Sequence, residues 1–181
     1  MKHGILNRLA LPLLACICLA GCSSGSTDKG AAVPDHVVIY ENPRFNFGVS
    51  FPQEWSYEEF GTENYESTAD REGLPDSGIK VSVDNQPEEQ ISIFGQLGLI
   101  GRNNPYGGLV EDFETGSGLK GRQYIEEHTN FISIYFAFDN NQLSAGGYTG
   151  SLGGSIEMSK EMYNRYKGTI AFILESIRIT E

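Results

Sequence analysis

The chain has 181 residues, 39% of them hydrophobic and 20% charged, and its 24 acidic against 13 basic residues give a formal net charge of −11. That length supports one hydrophobic core, and the acidic balance excludes nucleic acid as a partner, since a phosphate backbone must be met by Lys and Arg. All three cysteines, Cys16, Cys18 and Cys22, lie near the N-terminus, so the rest of the chain has no thiol for a disulfide framework, a thiolate metal site or a cysteine nucleophile.

In chain order, Met1 to Arg8 carries Lys2 and Arg8 and no acid, Leu9 to Ala20 is almost wholly apolar, and Gly21-Cys22 follows. This is the layout of a secretory signal peptide. The apolar run is too short for a spanning helix, which needs about 20 residues, and Pro12 lies inside it. The ending Leu19-Ala20-Gly21-Cys22 resembles the lipobox of bacterial lipoproteins, a resemblance that implies cleavage before Cys22 and lipidation of its sulfur. An ordinary signal peptide with an incidental cysteine is the plain alternative. A metal site from Cys16 and Cys18 would lie in the discarded segment.

Residues 1–21 are therefore expected to be removed. The remainder is 160 residues with 11 basic and 24 acidic side chains, a formal charge of −13. Residues 22–35, small and polar, read as a flexible tether, and 36–181 as a single α+β domain.

Short β-rich runs then follow one another between Gly, Pro and Asn: VVIY at 37–40, FNFGVSF at 45–51, IKVSV at 79–83 and ISIFGQLGLI at 91–100,. In the second, Phe45, Phe47, Val49 and Phe51 alternate with polar or small residues. Pro52 ends it, and Trp55, the sole tryptophan, is expected to roof the core. Eight acidic residues fall between Glu54 and Asp76 with Arg71 the only base. Phe60 to Gly78 has neither apolar period and reads as a long exposed acidic loop; cation binding there stays open, without the spacing of a dedicated calcium loop.

Further on, GRNNPYGG at 101–108 is turn chemistry, and LVEDFET, KGRQYIEEH and FISIYFAF continue the strand pattern, with KGRQYIEEH the one placed near solvent. In the last run Ile132, Ile134, Phe136 and Phe138 share one face, and the mixed opposite face predicts an interior strand covered on both sides. The run AGGYTGSLGGS, residues 145–155, lacks the Gly-Lys-Ser/Thr ending of a phosphate loop and reads as a flexible crossing or a strand edge. The one long helix is predicted over Lys160 to Glu175, capped by Ser159, with Met162, Tyr166, Thr169, Ile170, Ile173 and Ile177 at helical spacing. A short strand, Ile177 to Ile179, follows. Together these elements predict an antiparallel sheet with the C-terminal helix packed on it.

Two segments carry a resemblance. NFGVSFPQEWSYEE, residues 46–59, resembles the opening of Mog1/PsbP-like domains, and FILESIRI, residues 172–179, resembles their closing helix-to-strand segment. The resemblance implies an α/β/α sandwich in which helices cover an antiparallel sheet, and a mostly accessory or binding role.

The search for chemistry finds no catalytic residue, cofactor or metal site. His36 and His128 have no metal-ligand spacing, and Glu126 with His128 would need further ligands. The adjacent pairs Glu58/Glu59, Glu111/Asp112 and Glu126/Glu127 point to opposite faces of a strand. The expected function is a membrane-tethered, non-catalytic lipoprotein on the extracytoplasmic face of the cytoplasmic membrane, or on the outer membrane where one exists. Cys22 anchors it to the membrane and a protein is its partner. The alternative is a small-molecule or divalent-ion-binding lipoprotein, with Tyr106, Tyr148 and the Gly-rich loops framing a pocket.

Overall fold

The structure is a computed structural model, and it describes residues 34–61, 76–97, 108–139, 143–145 and 148–180. Cys22, the signal segment, most of the tether, the centre of the acidic loop and Tyr106 lie outside the described residues.

Two antiparallel sheets share one core. The smaller joins β1 (Val37–Asn42), β2 (Phe47–Pro52) and the short C-terminal β11 (Arg178–Ile179) in the order β1-β2-β11. The larger contains β3 (Ser56–Phe60), β4 (Asp76–Ser82), β5 (Gln90–Leu97), β6 (Leu109–Glu114), β7 (Lys120–Glu127), β8 (Phe131–Phe138) and β10 (Tyr148–Ser159) in the order β3-β4-β5-β10-β8-β7-β6, with β9 (Leu143–Ala145) on β10. The helix α1 (Lys160–Glu175) packs on one face of the larger sheet. This is the α+β arrangement expected from the sequence. Among the described residues α1 is the only α-helix, and the smaller sheet shares the same face with it.

Register fixes the two faces of the large sheet. One row across seven strands reads Leu109, Ile125, Ile134, Ile156, Ile91, Val81 and Tyr57. This is the inner, helix-facing side. The next row reads Val110, Tyr124, Tyr135, Ser155, Ser92, Lys80 and Glu58, mostly polar and facing away. Period-two alternation produces both rows at once.

The Gly-rich run is a correction. Residues 148–155 are not a crossing but two-thirds of β10, which pairs with β9 at its start, with β5 from Gly150 and with both β5 and β8 from Gly153. At Gly154 a glycine is needed because neighbours come too close for a side chain. A Cβ at Gly154 would meet the Ser92 carbonyl at 2.1 Å and the Phe136 ring at 2.4 Å. A second correction concerns β8, whose Ile132, Ile134, Phe136 and Phe138 are buried as predicted. Its other face is not closed, since Tyr135 is 44% and Phe131 40% exposed.

The small sheet is locked onto the large one by a buried polar hub. The Asn42 amide donates to the Tyr40 hydroxyl at 2.9 Å and to Ser77 Oγ at 3.0 Å, while its Oδ1 accepts from the backbone N–H groups of Arg44 and Phe45. Every polar atom of that side chain is used, as burial requires. Phe45 then lies against Gly95, and Phe51 meets the Tyr57 ring edge-on at 5.1 Å. Trp55 is buried and packs edge-on against Tyr166 of α1 at 5.3 Å, the core role expected for it.

Helix α1 starts where Ser159 caps it. The Ser159 hydroxyl accepts from the Met162 N–H at 3.3 Å, and the buried Glu89 carboxylate accepts from the Ser159 N–H at 2.6 Å. An acceptor and a negative charge at the same helix start satisfy exposed donors and oppose the helix dipole. At the other end Ser176 Oγ accepts from the Ser50 N–H at 2.8 Å, which ties the end of α1 to β2.

Candidate functional site

Because α1 lies over β8 and β10, the inner face of β7 and β6 extends past it. The result is a groove of about 370 Å³ between the helix and the end of the sheet. Its floor is aliphatic, built from Ile125, Ile132, Ile134 and Ile156. The helix wall carries Tyr163, Lys167, Ala171 and Leu174, residues that recur on one helical stripe, and the sheet wall carries Leu109, Glu111, Gln123 and Glu127,.

At both ends of the groove, bonds tie β7 and its flanking turns to α1 or the residues just after it. At the helix start Lys160 Nζ reaches Glu127 at 2.9 Å, and the Lys160 N–H donates to the Asn130 carbonyl at 3.0 Å. At the helix end the Gly116 N–H donates to the Glu175 carbonyl at 2.8 Å, and Ser117 Oγ donates to the Ile177 carbonyl at 2.9 Å. The hairpin is thus held at its two ends and stands off from α1 between them.

The rim is polar and mainly acidic on the sheet side. Gln123 Nε2 donates to Glu111 at 2.8 Å. Burial pushes the Tyr163 phenol above its usual value of 10.0, and the negative charges of Glu111 and then Glu127 push it further. Lys167 has no acidic partner within ion-pair distance among the described residues. Such a surface suits an apolar group carrying its own donors, and it holds no nucleophile with an activating base.

The carboxylates that sequence pairing set on opposite faces do separate. Asp112 turns outward to Arg122 at 3.1 Å while Glu111 lines the groove, and Glu126 lies 3.5 Å from His128 while Glu127 faces Lys160. Sequence reasoning missed that Glu111 and Glu127, from different strands, then share the inner face. Strand register brings them there, and adjacent pairs do not reveal it. The alternation in LVEDFE and the four-residue spacing of Tyr163 and Lys167 were the available signals.

Glu126 and His128 come together, yet no group of three His, Cys, Asp or Glu residues among the described residues could hold a metal ion. The groove lies on the helix side of β6 and β7, apart from the Gly-rich stretch around which a pocket was expected. No helix among the described residues is long and apolar enough to cross a membrane.

No family model and no curated protein sequence matches the chain. Among solved structures it is similar to the solution structure of cyanobacterial PsbP (CyanoP) from Synechocystis sp. PCC 6803, with a TM-score of 0.48 and 7% sequence identity over 79% of this chain and 92% of that one.

Proposed function

We propose that this protein is a non-catalytic interaction module, anchored through lipidated Cys22 on the extracytoplasmic face of a membrane, whose domain at 36–181 engages a protein partner at the open end of its large sheet. The observation that carries the reading is the groove beside α1, the only described α-helix, whose lip presents Leu109 at 60% exposure next to a floor of largely buried isoleucines. Exposed apolar surface rimmed by polar residues marks an interaction site. The lipobox in Leu19-Ala20-Gly21-Cys22 and the signal-peptide layout of residues 1–21 support the anchor, and the segments 46–59 and 172–179 support an accessory role through the family they resemble. Residues 22–35 serve as a leash that lets the domain reach its partner.

A second reading is favoured by the groove's size, since about 370 Å³ falls in the range of small-ligand sites,. An amphiphile could lay its tail on the isoleucine floor beside Lys167. One experiment separates the two: label the cells with an alkyne fatty acid, crosslink, purify from membranes, and analyse both proteins and small molecules. The module reading expects label on the wild type, loss of label and of membrane attachment in Cys22→Ser, and one reproducible crosslinked protein. An unlabelled wild type would remove the anchor. A co-purified amphiphile without a crosslinked protein would replace the first reading with the second.

A further inference from the structure

The groove beside α1 is tied at both ends. Lys160 holds Glu127 at the helix start, and Gly116 and Ser117 donate to the Glu175 and Ile177 carbonyls at the other end. The space between these ties is about 370 Å³, the size of a small-ligand site,. A helix or strand laid along it from end to end would have to displace a tie, whereas a chain end can enter from the side of β6, the last strand of the sheet.

The polar groups of the rim differ in what they have left to offer. Glu127 already accepts from Lys160 at 2.9 Å, and one Glu111 oxygen accepts from Gln123 at 2.8 Å. On the helix wall the half-buried Tyr163 and the exposed Lys167 stand one turn apart on the same stripe,. The Tyr163 hydroxyl and the Lys167 ammonium have no hydrogen-bond or ion-pair partner among the described residues. Two unspent donors, one of them charged, therefore stand beside an aliphatic floor. Their complement is an anion carried on an aliphatic group.

We propose that the groove captures the aliphatic C-terminal residue of a partner protein, its carboxylate on Lys167 and Tyr163 and its side chain on the floor of Ile125, Ile132, Ile134 and Ile156. The proposal rests on the interaction-module reading and names the chemistry of the partner's end. Capture of a terminal carboxylate is an established mode of peptide recognition. The same residue brings its own backbone N–H, a donor for the second Glu111 oxygen, so both walls of the groove are used. An N-terminal ammonium is disfavoured, because it would set a like charge against Lys167 and leave the Tyr163 and Lys167 donors unmet. A fatty acid shares the carboxylate and the apolar chain but carries no such N–H.

The test uses the full chain and three probes: a fluorescent peptide ending in Leu-Leu-Val with a free carboxylate, the same peptide with a C-terminal amide, and decanoate. Anisotropy and competition give affinities, and isoleucine methyl NMR gives location. Amidation removes the anion and should weaken binding about tenfold. Lys167→Gln should weaken the free acid about fivefold and leave the amide within about 1.5-fold. Tyr163→Phe removes one donor and should weaken the free acid about threefold. Arg165→Gln, which removes the same charge from α1 where it pairs with Glu161 outside the groove, should leave binding within about 1.5-fold,. Binding should shift the methyls of Ile125, Ile132, Ile134 and Ile156. Equal affinity for acid and amide, equal weakening by Lys167→Gln and Arg165→Gln, shifts confined to other residues, or absence of peptide binding would each overturn the proposal. Decanoate bound in the groove without the peptide would overturn it in favour of the small-ligand reading. If membranes yield a crosslinked partner whose C-terminal residue is polar, this inference falls and the module reading stands. Failure to capture any partner removes the module reading and this inference with it.

Discussion

The two ends of the large sheet are built from similar strands and differ in what covers them. At the β3–β5 end, β2 and the turn before it drive Phe45, Phe47 and Phe51 into the inner face, and all three are fully buried. At the β6–β7 end nothing among the described residues plays that part, and Leu109 is 60% exposed, against 46% for Tyr57, which stands at the other end of the same cross-sheet row and packs on Phe51. The difference teaches that stability and recognition are separated along one sheet. The sealed end supplies the core, and the open end keeps apolar surface available at little cost to the fold.

The sharpest way to break this comparison is a matched pair of truncations. Phe51→Ala empties a fully buried ring position and should cost about 4 kcal/mol in urea unfolding, whereas Leu109→Ala should cost less than about 0.5 kcal/mol,. Comparable losses would mean that the β6 end is as sealed as the other.

A smaller effect is expected at the hub between the sheets. Asn42→Ala leaves the Arg44 and Phe45 N–H groups without their acceptor and removes the donor to Tyr40 and Ser77, and should cost about 2–3 kcal/mol by the same measurement. A loss below about 1 kcal/mol would show that the small sheet is held by its phenylalanines alone.

The smallest effect probes the open end through its pH response. The Tyr163 phenol is raised above 10.0 by burial and by Glu111 and Glu127. Between the unfolded value and the raised folded one, the unfolded chain gives up its proton and the folded chain keeps it. The contribution is therefore fully present below about pH 10 and is lost as pH rises through the folded value. Tyr163→Phe should flatten the alkaline fall of the unfolding midpoint, and an unchanged slope in that variant would assign the fall to Tyr40 and Tyr166, whose phenols burial also raises.

Local pattern made several elements legible before any coordinates. The bounds and the Ser159 cap of α1 follow from apolar spacing and one capping residue, and the burial of Ile132, Ile134, Phe136 and Phe138 follows from alternation. β3 was passed over because SYEEF shows little apolar alternation; it is a strand because β4 pairs with it. The long β10 was hidden by its glycines, which read as loop chemistry until Phe136 and β5 were placed beside them.

What the sequence determined by itself was therefore the class of each periodic segment, the acidic surface and the expectation of an anchor at Cys22, because those depend on residues close together in the chain. Only the tertiary structure decided that there are two sheets, that β10 is central, and that Glu111, Glu127, Tyr163 and Lys167 border one groove. Those facts depend on strand order and register between segments far apart. A one-residue slip in register would turn the same side chains to the other face.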